Sequence, residues 1–409
     1  MSNAQDPTRH DESDHEEFLD PDEADEVQVL DGAEDMMEED DDENVEEADQ
    51  FDENGNPVVN DDEMVELHDD SVQGFFTHKE PVYDVALHPV HQNIAVSGGG
   101  DDKSYLWRLY DGEQLYEFAG HTDSVTQVGF SVDGTYVASG SMDGKVRVWK
   151  SETGQFVCEL EGPDEVVWIN WHPKGNILLA GATDSSVWMW AVPSGSFMNV
   201  FNGHSGPVTS GMFTPDGKRI VTVSEDASLI VWDPKTATVV HRLTSEDARF
   251  HNDVITCLAI NKDSSLAMTG SADGTAKLIN LNSGAILGSF ENHTDAIETV
   301  GFSDHMNLAA TGSLDGRLNI WDVQTLQLRT TCEHRGPIIK LQWHKQQPLI
   351  TTCSADRSVQ VWDARTGQNV KIWLGHQDSV LCFAMTDDGL TCVTGSDDGC
   401  ALVFRMVDN

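Results

Sequence analysis

One pattern returns eight times along this chain at a nearly constant interval. Successive copies close on residues that are 42, 41, 42, 47, 42, 41 and 42 positions apart. These closing residues are Trp107, Trp149, Trp190, Trp232, Ile279, Trp321, Trp362 and Phe404. A period of about 20 to 50 residues marks a chain of stacked structural repeats, so this spacing restricts the fold to a repeat architecture.

Polar residues keep the same register as the closing residues. Six positions before each closing residue lies an Asp, which we call the repeat Asp: Asp101, Asp143, Asp184, Asp226, Asp273, Asp315, Asp356 and Asp398. Four positions before the repeat Asp, seven copies carry a hydroxyl: Ser97, Ser139, Thr222, Thr269, Thr311, Thr352 and Thr394. Seven copies open on a His, the repeat His: His78, His121, His204, His251, His293, His334 and His376.

Between these marks, each copy holds runs of alternating apolar residues separated by turns. Residues 120–149, GHTDSVTQVGFSVDGTYVASGSMDGKVRVW, show the pattern clearly: Gly-His at the start, Asp-Gly at the turns and Trp at the end. Gly-His and Trp-Asp marks at this period are typical of WD40 repeats, each of which forms a four-stranded blade. The sequence therefore predicts an all-β, eight-bladed WD40 β-propeller over residues 63–409.

The first and last segments of the propeller are expected to complete one blade together. Residues 63–77 precede His78 in the way that the outer-strand sequence 114–119 precedes Gly120-His121. The chain runs to Asn409, shortly after the third-strand sequence 401–406, so the last repeat lacks an outer strand of its own. We predict that residues 63–77 supply this strand and close the ring, which leaves no open sheet edge.

The N-terminal part has a different composition. Residues 1–70 contain 31 Asp and Glu against a single basic residue, Arg9, within a chain whose net charge is −47. Low hydrophobicity and self-repulsion prevent a packed core, so we predict that residues 1–62 form a disordered acidic tail. This tail acts either as a solubilising segment or as a competitor for a basic ligand.

The repeated His, hydroxyl, Asp and Trp are interpreted as structural tetrads. A buried Asp needs partners, and a chain of hydrogen bonds from Asp through His and hydroxyl to Trp would supply them. Two complete examples are His121, Ser139, Asp143, Trp149 and His293, Thr311, Asp315, Trp321. The set resembles a catalytic triad, but its repetition around a ring indicates a scaffold, so we expect no enzyme activity and no cofactor.

Not every repeat keeps the tetrad. The third has Gly162 in place of the His and Ala180 in place of the hydroxyl, while Ile279 and Phe404 replace Trp elsewhere. We expect the third blade to have the least constrained rim. The seven cysteines form no CxxC pair and the chain shows neither a secretory signal nor an apolar run of membrane-spanning length. These features predict reduced thiols, no metal site and a location in the cytoplasm, or also in the nucleus. We separately expect a monomer.

A ring of carboxylates is predicted at one mouth of the propeller. The acids two positions beyond the repeat His are Glu80, Asp123, Asp164, Asp253, Asp295 and Asp378. Nearby positions add further acids: Asp84, Glu165, Glu225, Glu298 and Asp397. Tyr83 and Trp168 fall beside them and could hold Lys or Arg by cation–π contact. Such a ring attracts a cationic ligand and argues against nucleic acid or an anionic membrane as the partner.

The chain resembles one particular group of WD40 proteins. The acidic tail, the eight repeats, the second repeat quoted above and the degenerate third repeat, EGPDEVVWINWHPKGNILLAGATDSSVWMW, are similar to the angio-associated migratory cell protein family and its fungal counterpart, a dedicated ribosomal-protein chaperone. This resemblance implies a cytoplasmic chaperone in large-subunit ribosome biogenesis. Its partner would be a newly made, basic large-subunit ribosomal protein, held through a Lys/Arg-rich N-terminal segment.

Two other functions fit some of the same features. The sequence Trp362-Asp363-Ala364-Arg365 matches the WDxR motif of substrate adaptors for cullin–RING ubiquitin ligases. This short motif also arises easily inside WD repeats. A histone chaperone is a further alternative, since its basic client would suit the same acidic charge.

Overall fold

The computed structural model describes residues 68–406. The predicted disorder of residues 1–62 lies outside this range. The described chain forms eight four-stranded antiparallel sheets arranged as blades, which confirms the predicted eight-bladed propeller. Within residues 68–406, no helix has the length and apolar character needed to cross a membrane.

Blades 1 to 7 each take four consecutive strands, while blade 8 combines the last three strands with the first. The first strands line the centre: β2 (Val82–Leu87), β6 (Val125–Phe130), β10 (Val166–Trp171), β14 (Ser210–Phe213), β18 (Ile255–Ile260), β22 (Ile297–Phe302), β26 (Ile338–Trp343) and β30 (Val380–Met385). The second strands are β3 (Ile94–Gly99), β7 (Tyr136–Ser141), β11 (Ile177–Ala182), β15 (Ile220–Val223), β19 (Leu266–Ser271), β23 (Leu308–Ser313), β27 (Leu349–Ser354) and β31 (Thr391–Ser396).

The two remaining strands of each blade lie further from the centre. The third strands are β4 (Ser104–Arg108), β8 (Lys145–Lys150), β12 (Ser186–Ala191), β16 (Leu229–Asp233), β20 (Thr275–Asn280), β24 (Arg317–Asp322), β28 (Val359–Asp363) and β32 (Ala401–Arg405). The outer strands are β5 (Gln114–Phe118), β9 (Phe156–Glu161), β13 (Ser196–Asn202), β17 (Thr238–Leu243), β21 (Ala285–Glu291), β25 (Gln327–Glu333), β29 (Asn369–Trp373) and, in blade 8, β1 (Gln73–Phe75).

The apolar core lies in layers between neighbouring blades. An aromatic residue at the end of one outer strand packs on the closing Trp of the next blade, as Phe118 does on Trp149 with ring centroids 4.8 Å apart. Phe290 and Trp321 make the same contact at 5.1 Å. Burying each such ring stabilises the fold by about 2–3 kcal/mol. The closing positions therefore hold the blades together rather than filling a single central core.

The ring closes through the N-terminal strand, as predicted. Strand β1 pairs antiparallel with β32, with Gln73 opposite Val403 and Phe75 opposite Ala401. The buried Phe75 ring of blade 8 stacks on Trp107 of blade 1, with ring centroids 5.1 Å apart. This contact between blades 8 and 1 is equivalent to that of Phe118 with Trp149 between blades 1 and 2. The boundary of the propeller at residue 63 lies outside the described residues and stays a prediction.

Side chains on the inner side of the ring also connect its two ends. Lys340 Nζ of blade 7 lies 3.5 Å from Asp84 Oδ1 of blade 1. At the opposite end of the first strands, Lys345 of blade 7 pairs with Asp387 of blade 8 at 2.5 Å. The Asp387 backbone N–H in turn donates to Gln92 Oε1 of blade 1 at 3.1 Å. These contacts tie blades 7, 8 and 1 together without a covalent link.

Candidate functional site

Two loops of each blade meet at one rim of the propeller. The residue before the repeat Asp donates its backbone N–H to the carbonyl three positions beyond the repeat His. Met142 donates in this way to Ser124, Glu225 to Pro207 and Asp397 to Ser379, each at 3.0 Å. The loop that carries the His and the turn that carries the Asp are therefore held side by side in equivalent positions.

Below this rim, blade 6 shows the complete tetrad. His293 Nδ1 lies 3.0 Å from Asp315 Oδ2, and His293 Nε2 lies 2.7 Å from Thr311 Oγ1. The Trp321 indole N–H donates to Thr311 Oγ1 at 2.9 Å. Because the Asp315 carboxylate can only accept, the imidazole proton lies on Nδ1, and Nε2 accepts the proton of the Thr311 hydroxyl. Each polar group of the blade 6 tetrad thus has a hydrogen-bond partner.

Electrostatics agree with a structural role for the tetrads. Burial would raise the pKa of Asp315, but hydrogen bonds from Thr294 and Arg317 and the contact with His293 outweigh it and hold the pKa below its ordinary value of 3.8. Burial lowers the pKa of His293 below 6.5 despite the neighbouring carboxylate. The Thr311 hydroxyl is fully buried, so no substrate can reach it as it would the nucleophile of a triad.

Blade 2 differs from the expected tetrad at its tryptophan. His121 lies 3.0 Å from Asp143 and 2.7 Å from Ser139, as the pattern predicts. In the part of the chain that the structure describes, no hydrogen bond joins the Trp149 indole to Ser139. Trp149 instead stacks on Phe118 at 4.8 Å and meets Phe156 edge-on at 6.1 Å. Aromatic packing from both sides thus decides the position of this ring.

Blade 3 lacks the repeat His, and the space above Gly162 is occupied by Trp188, which sequence reasoning overlooked. A Cβ atom at Gly162 would lie 2.3 Å from the Trp188 ring, so this Trp occupies the space above the glycine. The Trp188 indole N–H donates to Ser186 Oγ at 2.7 Å, and Ser186 hydrogen-bonds Asp184. The signal was present in the sequence, because the large Trp188 occurs in the one repeat that opens on glycine.

The exposed carboxylates of the rim form one recurrent arrangement. In Asp123, Asp253, Asp295 and Asp378, one carboxylate oxygen accepts the backbone N–H of the next residue at 2.7–2.8 Å. The other oxygen accepts no hydrogen bond from within residues 68–406. The acidic rim is defined as the exposed acids of these loops: Glu80, Asp123, Asp164, Glu165, Glu225, Asp253, Asp295, Asp378 and Asp397.

In six of the eight blades, a serine beneath the rim stands behind the loop that carries the repeat His. Ser313 Oγ donates to the Asp295 carbonyl at 3.0 Å, and Ser141 Oγ donates to the Asp123 carbonyl at 2.9 Å. The same position is occupied in six blades by Ser141, Ser224, Ser271, Ser313, Ser354 and Ser396. Sequence reasoning missed these serines, although they always stand two positions before the repeat Asp.

Neighbouring acids of the rim influence one another. Partial burial raises the pKa of Asp397, and the negative charges of Asp378 and Asp398 raise it further. Glu298, which is half-buried beside the rim, has its pKa raised by burial and then by Asp295. Burial is the larger cause in both groups, and the added contributions of Asp378, Asp398 and Asp295 indicate that negative charges lie close together here, which a cationic ligand would relieve.

Two residues predicted at this surface lie elsewhere. Asp84 is only 5% exposed, accepts the Val128 backbone N–H at 3.1 Å and faces Lys340. Burial raises its pKa, and the ammonium of Lys340 opposes that effect. Side chains alternate along a strand, so Tyr83 reaches the rim at 36% exposure while the next residue turns toward blade 2. The placement of Asp84 in the acidic ring was therefore wrong.

Trp168 is the second such residue. Its ring is 6% exposed and fills the space over two glycines, where Cβ atoms at Gly181 and Gly211 would lie 2.2 and 2.3 Å away. Its indole N–H donates to the Val208 carbonyl at 2.9 Å. The predicted cation–π role was therefore wrong. Gly181 and Gly211 have no side chains, and the Trp168 ring is buried in the space that this leaves between blades 3 and 4.

The WDxR sequence of blade 7 forms a local ion pair. Arg365 Nη2 lies 2.7 Å from Asp363 Oδ2, and Arg365 Nε lies 3.1 Å from Asp363 Oδ1. Arg249 makes the same two contacts with Asp247 in an unrelated loop. The arrangement therefore reflects the close approach of residues two apart in a turn and gives no specific support for an adaptor role.

The cysteines have the character of core residues. All seven are free thiols, and Cys257, Cys332 and Cys353 are buried. Burial raises the pKa of each of these three thiols to about 12. Since the thiolate is the reactive form, these groups are chemically inert at neutral pH.

The repeats and the eight blades together define a WD40-repeat β-propeller, and exposed acids line one of its rims. The WD domain, G-beta repeat matches the chain at residues 70–108, 112–150, 154–191, 195–233, 245–280, 284–322, 326–363 and 367–405. Human angio-associated migratory cell protein is 40% identical over 351 residues, which cover 82% of this chain and 80% of the human protein. The chain belongs to the WD40 family and, within it, to the group that contains the angio-associated migratory cell protein.

Fungal proteins provide the most informative functional comparisons. Ribosome assembly protein SQT1 of Saccharomyces cerevisiae is 25% identical over 394 residues, covering 85% of this chain and 90% of the yeast protein. The crystal structure of Chaetomium thermophilum Sqt1 bound to the N-terminus of the ribosomal protein L10 matches with a TM-score of 0.77 and 30% identity. That match covers 83% of this chain and all of the fungal chain. The resemblance inferred from the sequence is thereby confirmed.

Proposed function

We propose that this protein is a non-enzymatic chaperone for a newly made large-subunit ribosomal protein. It would capture the Lys/Arg-rich N-terminal segment of this client on the acidic rim. The proposal is supported by the similarity to an Sqt1 that was solved with the N-terminus of ribosomal protein L10. It also draws on the similarity to a yeast protein named for ribosome assembly.

The observation that carries the proposal is the recurrent geometry of the rim carboxylates. Asp123, Asp295 and Asp378 are each held by a backbone N–H, so no side-chain ordering is needed when a ligand arrives. Each keeps an oxygen that can accept from an ammonium or guanidinium group. Several such acceptors around one mouth attract a cationic peptide and align it across the face.

An aromatic surface accompanies these acids in blade 1. A Cβ atom at Gly100 would lie 3.1 Å from Glu80 and 3.4 Å from the Tyr83 ring, so the two side chains share one patch of the rim. A guanidinium paired with Glu80 could also lie over this ring, which would add cation–π attraction. We therefore expect Tyr83 to favour Arg over Lys in the bound segment.

Such capture would protect a client that otherwise binds RNA indiscriminately. Basic segments associate with any phosphate backbone through electrostatic attraction. An acidic propeller in the cytoplasm would cover the segment until delivery to the assembling subunit. A monomeric propeller is sufficient for this role, because one rim presents the whole set of acids.

The test is binding of an L10 N-terminal peptide to the full-length protein. We expect the combined change Asp123→Lys, Asp295→Lys and Asp378→Lys to weaken binding by about 100-fold or more, since three charge contacts become repulsive. The matched control is Glu152→Lys, Asp263→Lys and Asp304→Lys, which alters net charge equally at exposed turns on the opposite side. Affinity of the unaltered protein should also fall steeply with salt.

The outcomes separate the alternatives. Equal affinity of the rim variant and the unaltered protein for the peptide would show that the rim is not the binding face. Proteins co-purified at low salt provide an independent readout. Recovery of histones instead of a ribosomal protein would contradict the proposal, as would a cullin complex that is lost on Arg365→Ala.

A further inference from the structure

Blade 7 interrupts the acidic rim with positive charge. The position of Asp295 and Asp378 is occupied there by Gly336, and its preceding residue is the exposed Arg335. The turn after β27 carries a second exposed arginine, Arg357, directly after the repeat Asp of this blade. Blade 6 has Thr294 and Gly316 at these two arginine positions. Between acids on both sides, one sector of the rim is therefore cationic.

The two arginines belong to loops that are packed directly on one another. The Arg335 backbone N–H donates to Asp356 Oδ2 at 3.0 Å. A Cβ atom at Gly336 would lie only 3.2 Å from the Asp356 backbone nitrogen, so the loops touch at this point. Arg335 and Arg357 thus lie on either side of Asp356, and we call them the arginine pair.

The charges of the arginine pair are not neutralised within the propeller. Over residues 68–406, neither guanidinium takes part in a hydrogen bond or an ion pair. The nearby Asp356 carboxylate is already occupied by His334 at 3.0 Å and by Ser358 at 2.6 Å. By contrast, Arg317 of blade 6 pairs with Glu333 at 3.5 Å. The arginine pair therefore keeps its full capacity to bind an anion.

Arg357 also adopts a backbone conformation that its residue type disfavours. Its φ angle is +70°, in the left-handed region. Four other blades place glycine at this position, Gly144, Gly274, Gly316 and Gly399, and the remaining three place Asp102, Ser185 and Ala227 there, also with positive φ. A non-glycine residue in this region is strained relative to glycine, and four of the eight blades accept that strain, so what distinguishes blade 7 is the charge and length of its side chain. Blade 7 thus carries a long cationic side chain where glycine would be easier to accommodate.

We propose that the arginine pair binds a carboxylate of the client segment and thereby sets its direction on the rim. The inference rests on the proposed function, since it assigns a second contact to the same ligand. A planar guanidinium can bind a carboxylate through two parallel hydrogen bonds. The preferred ligand is then a basic segment that carries one acidic residue at a defined distance from its Lys and Arg.

The neighbouring blades favour this ligand over a nucleic acid. Asp295 and Glu298 lie in blade 6, and Asp378 and Asp397 lie in blade 8, on the two sides of the arginine pair. A run of phosphates crossing blade 7 would meet repulsion on both sides, whereas a single carboxylate within a basic peptide would not. The arginine pair would also disfavour uniformly basic peptides, which provides selectivity through repulsion.

A variant that copies blade 6 tests the inference. Arg335→Thr with Arg357→Gly introduces the residues found at Thr294 and Gly316, so the loops should fold unchanged. The probes are a nine-residue Lys/Arg-rich peptide and a set of the same peptide with a single Glu at each position. We expect the unaltered protein to prefer one Glu-containing peptide by about tenfold, and the variant to lose that preference.

The variant should bind the uniformly basic peptide at least as tightly as the unaltered protein does. The inference is overturned if no Glu position improves binding, or if both proteins show the same preference. It is also overturned if single-stranded RNA binds the unaltered protein and is released by the variant. A melting temperature equal to or above that of the unaltered protein verifies folding.

Failure here is distinguishable from failure of the proposed function. If the rim binds clients without using the arginine pair, the triple aspartate variant loses every peptide while the arginine variant behaves like the unaltered protein. If the rim is not the binding face, the triple aspartate variant and the unaltered protein have equal affinity for every peptide. That result contradicts the proposed function itself.

Discussion

Asp295 and Asp315 belong to the same blade and show how similar residues acquire different roles. Asp315 lies beneath the rim, where its carboxylate accepts from Thr294, from Arg317 and from the ring of His293. Asp295 lies on the rim and accepts one backbone N–H. Burial and the number of partners, rather than residue type, therefore separate the tetrad layer from the acidic rim.

The largest expected effect concerns the closure of the ring that supports both layers. Removing residues 1–77 deletes β1 and the buried Phe75, whereas removing residues 1–60 retains them. We expect the longer deletion to lower the melting temperature by about 10 °C or more, or to cause aggregation, because an open blade exposes apolar surface and an unpaired edge. Thermal unfolding of both truncations provides the measurement.

Equal melting of the two truncations would contradict this model of closure. Phe75→Ala in the full-length chain is the matched point variant, since it retains the β1 backbone. Loss of this buried ring should cost about 3–5 kcal/mol of unfolding free energy.

The next effect sets Asp315 directly against Asp295. Asp315→Ala leaves His293 and two backbone N–H groups without their acceptor, so unfolding free energy should fall by about 3 kcal/mol. Asp295→Ala removes an exposed carboxylate and should change stability by less than about 0.5 kcal/mol. Chemical denaturation measures both, and similar losses for the two variants would erase the distinction between the layers.

The smallest effect concerns the pH dependence of binding and stability. Asp397 has a raised pKa and therefore takes up a proton at a pH above 3.8, so affinity for a basic peptide should decline as pH falls toward that range. Asp397→Asn should flatten this decline, with a change of about threefold in affinity. Peptide binding between pH 4.5 and 7, with melting temperature as the control, is the measurement.

The tetrad layer should respond differently over the same range. The pKa of folded His293 lies below 6.5, so the unfolded chain binds the proton first and stability declines as pH falls through 6.5. The pKa of Asp315 is also lowered, so its contribution is present above 3.8 and is lost only as pH falls through its folded value. If Asp397→Asn changed the stability profile rather than the binding profile, the assignment of Asp397 to the rim would be wrong.

The periodic features of the sequence predicted the architecture because each repeat carries its strand, turn and tetrad residues at nearly the same spacing. The spacing from Trp107 to Phe404 required eight blades, and the place of residues 63–77 before His78 indicated a shared last blade. The exposed position of Asp123 could likewise be expected from its distance to the repeat His. Such features depend on contacts within one repeat or between a repeat and its neighbour.

Predictions for individual side chains were less successful where glycine or aromatic neighbours altered the available space. Trp168 and Asp84 share one position in the first strands, and both turn toward the next blade rather than to the rim. Trp149 stacks on Phe118 instead of donating to Ser139. In each case the deciding neighbour belongs to another blade or strand, and a single repeat does not reveal it.

By itself, the sequence determined the number of blades, the register of the tetrads and the excess of acids at one rim, because these depend on spacing and charge along the chain. Only the tertiary structure decided which acids are exposed, which aromatic rings are buried and that Arg335 and Arg357 flank one repeat Asp. The physical reason is that burial and pairing arise between segments distant in the chain, where packing gives equivalent positions different surroundings.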